Sequence, residues 1–491
     1  MNISRQNPLL ATDVYKMGHM EQYCPGTSKV YSYLIARSDK TFDKTVFFGL
    51  QYYLKEYLSV KLTPEMGEEF LKYRKTILGS NSDKVEQQIR DLCKLGYWPL
   101  EIKAVEEGTV MPVRNVLMTM TNTDPNFHWV VGFTESLILK LWYSITVASC
   151  CFKYRTIVDK AFEETVTDDL MFLKDFTVHD FGYRGDGSEE GAAVSGAAHL
   201  VSFCGSDNVP ALPFVEYYYK ADTTGLVMAS VPASEHSVMC SFGRDNEFAA
   251  FENMLTLYPA GIVSIVSDTF DVYRVLTEFA ERLKPTILKR DGKVVFRPDS
   301  GNPEFIICGD PNAIEGSNEW KGAIRLLDEM FGSSVNSKGY KVLNPKVGLI
   351  YGDGMYFERY QRTLDKLKEM GYAACNLVIG VGGILRNHSR DTLGFAIKAT
   401  YVEVNGEKRE IEKDPVTDHK KKSHKGLMYL TQEGNNEYHT IDQCSELEEK
   451  TGLLQTVFKN GQLIKETTFS QIKERVILSK QKEQLILDPI Y

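Results

Sequence analysis

The chain has 491 residues, of which 43% are hydrophobic and 25% are charged, and its net charge is −9 at pH 7. This composition is typical of a globular protein with roughly two or three domains, and the acidic balance argues against a broad nucleic-acid-binding surface. The nine cysteines are scattered and include no C-x-x-C pair, which excludes a disulfide framework or a zinc site and favours a reducing compartment.

The N-terminal sequence MNISRQNPLLATD lacks the apolar core of a signal peptide. The most apolar long stretch, residues 131–152, is interrupted by Glu135 and Lys140, so it predicts a buried helix and not a membrane span. We therefore expect a soluble, cytoplasmic protein that binds neither membranes nor nucleic acid.

Residues 41–160 are predicted to be mainly helical. Thr63 can cap a helix that begins at Pro64 and ends before Gly79. The apolar side chains of this helix, which we expect to pack together in the core, are Met66, Phe70, Tyr73 and Ile77.

The segment 161–389 changes character, because short β-rich runs now alternate with stretches long enough for a helix. The runs end near residues 180, 207, 231, 268, 297, 352 and 380. Repeated strand–helix units with continuously apolar strands predict a parallel sheet. About seven such units favour a (β/α) barrel over an open sheet, and in such barrels the chemistry lies on the loops after the strands.

The C-terminal part, from about residue 390, predicts antiparallel strands. Asn405-Gly406 and Asn460-Gly461 each separate two alternating runs, which is a strong hairpin signal. We expect an antiparallel β domain formed by residues 1–40 and 390–491, the two ends of the chain.

Charged and glycine residues gather at the predicted strand ends. They are Asp180, Arg184, Asp207, Glu235, His236, Asp268, Arg297, Asp299, Asp353, Gly380, Gly382 and Gly383. A single aspartate after a strand is most often a turn former or a helix cap. Converging carboxylates, cations and glycine amides, however, suit a phosphorylated sugar, with Mg²⁺ on the carboxylates.

The clearest local signal is VVFRPDSGNP, residues 294–303, in which an apolar strand ends on Arg297 and Asp299 held by Pro298. His236, in SEHSV, is open to two interpretations, a structural role or a nucleophilic, phosphate-accepting role. The chain has no Walker loop and no early GxGxxG after a strand, so neither a P-loop nor a dinucleotide fold is indicated.

Basic residues also gather near the C-terminus. The run HKKKSHK from 419 to 425 is typical of a solvated loop, whereas Lys398 alternates with apolar residues in a predicted strand.

These motifs, together with LLATDVYK, TVFFGLQYYL, NTDPNFHW, HDFGYRG, VPASEHS, VSDTFDVY, SRDTLGFAIK and KDPVTD, resemble the nicotinamide phosphoribosyltransferases almost from end to end. These enzymes are part of the nicotinate/quinolinate phosphoribosyltransferase group. The resemblance implies an α/β fold: an incomplete (β/α) barrel of the type II phosphoribosyltransferases, with a helical insertion and the antiparallel β domain described above.

The resemblance also implies roles for individual residues around the pyridine ring. Phe181 and Tyr15 of the partner subunit would sandwich the ring, and Arg184 and Asp207 would flank it. The residues lining the tunnel for the base would be Ser230, Val231 and Ala233.

The ribose and phosphate groups would be held by further residues. Arg297, Asp299 and Asp268 would bind the phosphoribosyl group, with Asp299 also a ligand of an Mg²⁺ ion held largely through substrate phosphates. The residues surrounding ribose and its 5′-phosphate would be Gly352, Asp353, Gly382 and Gly383. The residues completing the pyrophosphate and ATP phosphate site from the partner subunit would be Asp13, Arg37, Arg390, Lys398 and Lys413.

The implied reaction joins nicotinamide to 5-phosphoribosyl 1-pyrophosphate, giving nicotinamide mononucleotide and pyrophosphate for NAD salvage. ATP hydrolysis would be coupled to it through phosphorylation of His236, and the enzyme would be a homodimer with shared active sites and no organic prosthetic group. Two departures from the family pattern are Ser234, in place of a second alanine, and a glycine run near 380–383 that is one residue shorter.

Three alternatives remain open on the sequence. The nearest is nicotinate phosphoribosyltransferase. A phosphosugar-binding barrel lyase or isomerase is a second, although a Schiff-base lyase needs a site-facing strand lysine, which the predicted strand ends do not offer. A nucleotide-sensing protein on an inactive barrel is the third, and the intact motif residues argue against it.

Overall fold

A computed structural model describes residues 7–417, 422–434 and 437–487 of the chain, with side chains up to residue 480. The predicted run at 419–425 lies partly outside the described residues. The chain divides into two compact units. The sheet unit comprises residues 1–149, 214–221 and 388–491, and the barrel unit comprises residues 150–213 and 222–387. The sheet unit thus groups residues 41–149 with both chain ends, whereas we expected a separate helical segment there.

The strands of the described residues are, in chain order, β1 (Thr27–Ile35), β2 (Lys44–Val46), β3 (Leu100–Ala104), β4 (Val110–Pro112), β5 (Val116–Asn122), β6 (Val178–Asp180), β7 (Ala260–Val266), β8 (Asp291–Arg297), β9 (Ser333–Val335), β10 (Lys341–Leu343), β11 (Val347–Tyr351), β12 (Leu377–Val381), β13 (Ala396–Val404), β14 (Glu407–Glu410), β15 (Tyr429–Glu433), β16 (Glu437–Ile441), β17 (Gln455–Lys459) and β18 (Gln462–Leu463).

The α-helices are His19–Gln22, Leu50–Tyr53, Pro64–Leu78, Asp83–Leu95, Val130–Ile138, Leu141–Thr165, Glu189–Leu200, Ala211–Tyr219, His236–Cys240, Glu247–Leu257, Val272–Arg274, Ala280–Lys289, Pro303–Cys308, Asn318–Phe331, Phe357–Glu369, Gly383–Arg386, Glu446–Thr451 and Phe469–Leu487. π-helical turns lie at Leu54–Leu58 and Val275–Phe279. The 3₁₀ turns are Pro8–Leu10, Val14–Gly18, Pro125–Phe127, Asp168–Phe176, Tyr183–Gly185, Arg244–Asn246 and Ala374–Asn376.

The sheet unit is built on a seven-stranded antiparallel sheet in the order β14-β13-β1-β5-β3-β17-β18. Strands from the two ends of the chain are neighbours in this sheet, where β1 pairs with β13 from Thr27 opposite Val404 to Ile35 opposite Ala396. This confirms the predicted antiparallel β domain. Two further strands, β3 and β5, come from the region predicted to be mainly helical, because short apolar strands between helices resemble helical segments in sequence.

Both predicted hairpins are present. Asn405 and Gly406 between β13 and β14, and Asn460 and Gly461 between β17 and β18, all have positive φ angles, from 50° to 80°. Two consecutive residues with positive φ define the turn that matches the twist of antiparallel strands, which explains the Asn-Gly sequence at each position.

The predicted helix boundaries at Thr63 and Gly79 are also correct. The Thr63 side chain accepts a hydrogen bond from the amide of Met66, and Gly79 ends the helix with φ at 86°. The predicted apolar face is wrong in its C-terminal half, because the side chains of Tyr73 and Ile77 are 39% and 54% exposed.

The buried face of this helix is rotated toward Phe70, Leu71 and Arg74. Arg74 is buried because its guanidinium donates hydrogen bonds to the carbonyl oxygens of Met17 and Ser80. A buried arginine is acceptable where its donors are satisfied, and the apolar periodicity alone does not reveal such a position.

The barrel unit contains seven parallel extended segments, called staves below. They are the five strands that follow and the segments at residues 205–206 and 229–233. Five are regular strands in the order β6-β12-β11-β8-β7. Single parallel bridges close the ring: Asp180 pairs with Ser206, Gly205 with Ala229, and Ala233 with Ser264 of β7. The staves end at the seven predicted positions. With one stave fewer than the eight of a complete barrel, this is the predicted incomplete (β/α) barrel.

One helical run, Val130–Thr165, is long and apolar enough to cross a membrane by length and composition, but 61% of its most apolar window is buried within the protein. Buried core helices meet the same criterion, so this run is only weak evidence for a membrane span.

Candidate active site

The carboxyl ends of the staves surround a cavity of about 420 Å³ in the barrel unit. Its walls come from the loops that follow β6, β8, β11 and β12. The residues lining the cavity are Phe181, Gly182, Arg184, Gly185, Arg297, Asp299, Gly352, Asp353, Gly354, Gly380, Gly382, Gly383 and Ile384. Nine of the residues predicted from the sequence therefore line one cavity: Phe181, Arg184, Arg297, Asp299, Gly352, Asp353, Gly380, Gly382 and Gly383.

Arg297 and Asp299 line this cavity, and each has one buried polar atom without a partner among the described residues. Arg297 Nη2 lies 3.4 Å from Asp299 Oδ2, and the guanidinium lies 4.8 Å from the ring centroid of Phe181. Arg297 Nε and Asp299 Oδ1 are buried and have no hydrogen-bond partner among the described residues. Unpaired buried polar atoms are costly, so their presence in a cavity indicates a ligand that pairs with them.

Two glycines in the cavity wall are required by close approach. A Cβ atom on Gly352 would lie 2.5 Å from Asp299 Oδ1, and one on Gly380 would lie 2.2 Å from the ring of Phe181. Side chains at these positions would displace the carboxylate and the aromatic ring, so the glycines define the shape of the site.

His236 and Asp268 form a pair at the ends of two neighbouring staves. His236 Nε2 lies 3.0 Å from Asp268 Oδ1, and the side chains are 48% and 3% exposed. Asp268 Oδ2 accepts hydrogen bonds from the amide of Asp299 and from the hydroxyl of Ser300. Because a carboxylate only accepts hydrogen bonds, Nε2 carries the proton and the lone pair of a neutral His236 is on Nδ1.

Asp207 lies in a short polar chain with Ser230 and His179. Its Oδ1 accepts a hydrogen bond from Ser230 Oγ at 2.5 Å and lies 2.9 Å from His179 Nε2. Burial alone would raise the pKa of Asp207, but His179, Ser230 and the charge of Arg297 outweigh burial and lower it. Asp207 is therefore a carboxylate at neutral pH.

The remaining residues predicted to lie near the base belong to the stave at residues 229–233. Ala233 forms the bridge to β7, and Val231 is half-buried. Ser234, one of the two departures from the family pattern, is buried and accepts a hydrogen bond from the amide of Val266 at 2.9 Å. Its hydroxyl thus links two staves.

A buried ion cluster lies beside the cavity, and of its three members the sequence analysis names only Asp180. Arg386 donates to both carboxylate oxygens of Asp180, at 2.6 and 2.9 Å, and to Asp186 Oδ2 at 3.0 Å. The three side chains are at most 3% exposed. A Cβ atom on Gly182 would lie 2.3 Å from the guanidinium, so Arg386 packs directly against the loop that carries Phe181 and Arg184.

The sheet unit contains the residues assigned to the partner-subunit side of the site. Asp13 accepts a hydrogen bond from Ser136, and the side chain of Tyr15 is 62% exposed. Burial lowers the pKa of Lys398, as do the charges of Arg37, Lys413 and Arg390, while Glu135 opposes them. All four predicted phosphate-binding cations therefore belong to one basic cluster around Lys398.

The fit of a divalent cation depends on Asp299. Among the described residues there is no group of three or more histidine, cysteine, aspartate or glutamate side chains that could hold a metal ion. The unpartnered Oδ1 of Asp299 suits a single protein ligand to an ion whose other ligands are substrate oxygens.

Family models match two parts of the chain. The nicotinate phosphoribosyltransferase (NAPRTase) family model matches residues 176–462, and the model of the nicotinamide phosphoribosyltransferase N-terminal domain matches residues 7–76.

Two similar proteins are the nicotinamide phosphoribosyltransferases of Acinetobacter baylyi and Xanthomonas campestris pv. campestris. The first is 42% identical, over 96% of this chain and 97% of its own length, and the second is 38% identical, over 95% and 97%.

Solved structures support the fold. The nicotinate-nucleotide pyrophosphorylase from Pyrococcus furiosus has a TM-score of 0.59 at 15% identity and covers 99% of this chain and 98% of its own. Human nicotinic acid phosphoribosyltransferase has a TM-score of 0.59 at 16% identity, with 96% and 94% covered. The predicted barrel of the type II phosphoribosyltransferases is thus confirmed.

Proposed function

The chain belongs to the nicotinate phosphoribosyltransferase family, among its nicotinamide phosphoribosyltransferases, and we propose that it converts nicotinamide and 5-phosphoribosyl 1-pyrophosphate into nicotinamide mononucleotide and pyrophosphate. The observation that carries this proposal is the Asp207 carboxylate, held by His179 and Ser230 at the same end of the barrel as Arg297 and Asp299, each of which has one buried polar atom without a partner among the described residues.

Asp207 supports the amide as substrate. The carboxamide of nicotinamide has an NH₂ group that donates hydrogen bonds, and a carboxylate is a strong acceptor for it. Nicotinate would bring its own carboxylate against Asp207, and a like-charge contact away from solvent is unfavourable. The nicotinate alternative is therefore the less supported one, although the family model carries that name.

The phosphoribosyl group would occupy the cavity itself. Arg297 and Asp299 each have one polar atom without a partner among the described residues, and Gly352, Gly382 and Gly383 line the cavity, where the absence of side chains lets phosphate oxygens approach the backbone. In the reaction the bond from the anomeric carbon to pyrophosphate oxygen breaks, and a bond from that carbon to the pyridine nitrogen forms. Carboxylates such as Asp299 and Asp353 stabilise the positive charge that develops on the ribose.

Mg²⁺ would be held by Asp299 and by oxygens of the substrate. When bound, it neutralises negative charge on the pyrophosphate. The chain's own residues orient the ribose, stabilise the developing charge and keep the pyridine ring stacked on Phe181, whose ring also lies near His179, Arg297 and Gly380.

ATP would act as a co-substrate through His236. With Nε2 hydrogen-bonded to Asp268, the Nδ1 lone pair is available to attack the terminal phosphorus of ATP, with ADP leaving. Asp268 would then stabilise the positive charge of the imidazole ring, as the orienting carboxylate does in other histidine-based sites.

The active site would be completed in a cytoplasmic homodimer. Tyr15 of the partner subunit would cover the other face of the pyridine ring. The residues expected to bind phosphates from that subunit are Asp13, Arg37, Arg390, Lys398 and Lys413. This expectation is supported by the exposure of Tyr15 and by the basic cluster that Arg37, Arg390 and Lys413 form around Lys398.

The direct test supplies the purified protein with phosphoribosyl pyrophosphate, Mg²⁺ and either nicotinamide or nicotinate, and measures the mononucleotide and pyrophosphate. We expect equal amounts of both products from nicotinamide and little from nicotinate. Arg297→Met should abolish the reaction, whereas His439→Ala, at an exposed residue of β16, should not change it. Product from nicotinate alone, or from neither base, would contradict the proposal.

A further inference from the structure

Asp207 is held by two donors that meet at one of its oxygens. His179 Nε2 is 2.9 Å from Oδ1, and Ser230 Oγ is 2.5 Å from the same atom. Among the described residues, none donates a hydrogen bond to Oδ2. The carboxylate is thus anchored on one side and available on the other.

The two donors differ in how firmly they are fixed. The Ser230 hydroxyl belongs to an exposed residue and can rotate. The His179 side chain is only 12% exposed, and its ring lies 5.0 Å from that of Phe181. A Cβ atom on Gly205 would come within 2.8 Å of His179 Nδ1, so the absence of a side chain at Gly205 leaves the space that the imidazole occupies.

We propose that His179 is a positioning residue that selects nicotinamide, because it holds Oδ1 of Asp207 and thereby turns Oδ2 toward the carboxamide NH₂. This inference rests on the proposed function. A carboxylate anchored only by a serine can rotate about its own bonds, whereas donors from two different staves fix its plane. Ordering the acceptor before binding reduces the entropy lost when the substrate binds.

The position of His179 differs from that of the residues expected to bind the sugar phosphate. Its side chain is not part of the cavity wall that contains Arg297, Asp299 and the glycine loops. Loss of its hydrogen bond should therefore weaken binding of the base and leave phosphoribosyl pyrophosphate binding almost unchanged.

The test compares His179→Ala, His179→Gln and His179→Asn in the full-length protein. The side-chain nitrogen of glutamine reaches about as far as imidazole Nε2, whereas that of asparagine is shorter and matches Nδ1, so only glutamine preserves the donor to Asp207. The measured quantities are KM and kcat for nicotinamide, for nicotinate and for phosphoribosyl pyrophosphate, with His439→Ala as a matched histidine control in the sheet unit.

In His179→Ala we expect KM for nicotinamide to rise about tenfold or more, the typical effect of losing a hydrogen bond to a charged group. KM for phosphoribosyl pyrophosphate and kcat should stay within about threefold, which identifies lost binding of the base and not lost chemistry. The nicotinamide-to-nicotinate ratio of kcat/KM should fall by about the same tenfold. His179→Gln should recover most of both effects, and His179→Asn should not.

An unchanged KM for nicotinamide in His179→Ala would overturn the proposal, as would equal recovery by glutamine and asparagine or a parallel rise of KM for both substrates. If His179→Ala does not fold, the comparison of His179→Gln with His179→Asn still tests the proposal. Failure of the wild-type protein to use nicotinamide would instead contradict the proposed function, so the two failures can be distinguished.

Discussion

His236 Nε2 lies 3.0 Å from Oδ1 of Asp268, and the second oxygen of Asp268 accepts hydrogen bonds from Asp299 and Ser300. One buried carboxylate therefore links the histidine expected to accept phosphate with the loop expected to hold the ribose. If ATP phosphorylates His236 as proposed, this link offers a physical route by which ATP turnover affects the affinity for phosphoribosyl pyrophosphate.

His236→Ala should abolish ATP hydrolysis and leave slow, ATP-independent formation of nicotinamide mononucleotide. The reason is that the variant loses the phosphate acceptor, while Arg297 and Asp299 still line the cavity. ADP release and mononucleotide formation would be measured in parallel, with His439→Ala as the control. Undiminished ATP hydrolysis by His236→Ala would show that another group accepts the phosphate.

Shared active sites predict complementation between two inactive variants. Tyr15 belongs to the sheet unit and Arg297 to the barrel unit, so a site completed by two chains needs one intact copy of each. Mixing Tyr15→Ala with Arg297→Ala should restore about a quarter of the wild-type activity, because random exchange gives half heterodimers and one of their two sites is intact. No recovery after confirmed subunit exchange would argue against sharing.

The basic cluster around Lys398 predicts that the affinity for ATP depends on pH in the alkaline range. Burial, together with Arg37, Lys413 and Arg390, lowers the pKa of Lys398 below its usual value. Lys398 is charged below its folded-state pKa and neutral above it, so affinity for ATP should fall as the pH rises toward the usual lysine value. Lys398→Arg keeps its charge at all these pH values, so the alkaline rise in KM for ATP should disappear.

The measurement for Lys398 is KM for ATP as a function of pH in both proteins, with KM for nicotinamide as the internal control. An alkaline rise that persists unchanged in Lys398→Arg would assign it to another group.

Arg386→Met should destabilise the protein by about 3–5 kcal/mol, the usual effect of breaking a buried ion pair by removing one partner. Asp180 and Asp186 would both remain buried without their cation. Urea unfolding would measure the change, and Arg362→Met, which removes an exposed partner of Glu304, should leave the midpoint almost unchanged. Equal stability of the two variants would show that Arg386 is not needed to hold the loop that carries Gly182.

Much of the fold could be predicted because local chemistry determines it. The two Asn-Gly turns, the Thr63 cap and the seven strand ends each depend on a few neighbouring residues. The site residues that line the cavity could be predicted for the same reason, because each lies directly after a strand and parallel strands bring their carboxyl ends together.

The residues that hold the site in place could not be predicted in this way. Arg386 pairs with Asp180 across 206 positions of sequence, and no local pattern joins them. His179 lies within the recognised motif HDFGYRG, yet its hydrogen bond to Asp207 becomes visible only when two staves are adjacent. The burial of Arg74 could not be predicted either, because its hydrogen-bond partners Met17 and Ser80 lie outside its helix and the apolar pattern of the helix does not reveal them.

The account depends most on Asp207 as the acceptor for the carboxamide, and the most direct measurement is the ratio of kcat/KM for nicotinamide to that for nicotinate. In the wild-type protein the ratio should be about a hundred or more, because a charge-assisted hydrogen bond favours the amide and charge repulsion disfavours the acid. In Asp207→Ser the ratio should fall steeply, through weaker use of nicotinamide and better use of nicotinate. A wild-type ratio near one, or a ratio that Asp207→Ser leaves unchanged, would contradict the account.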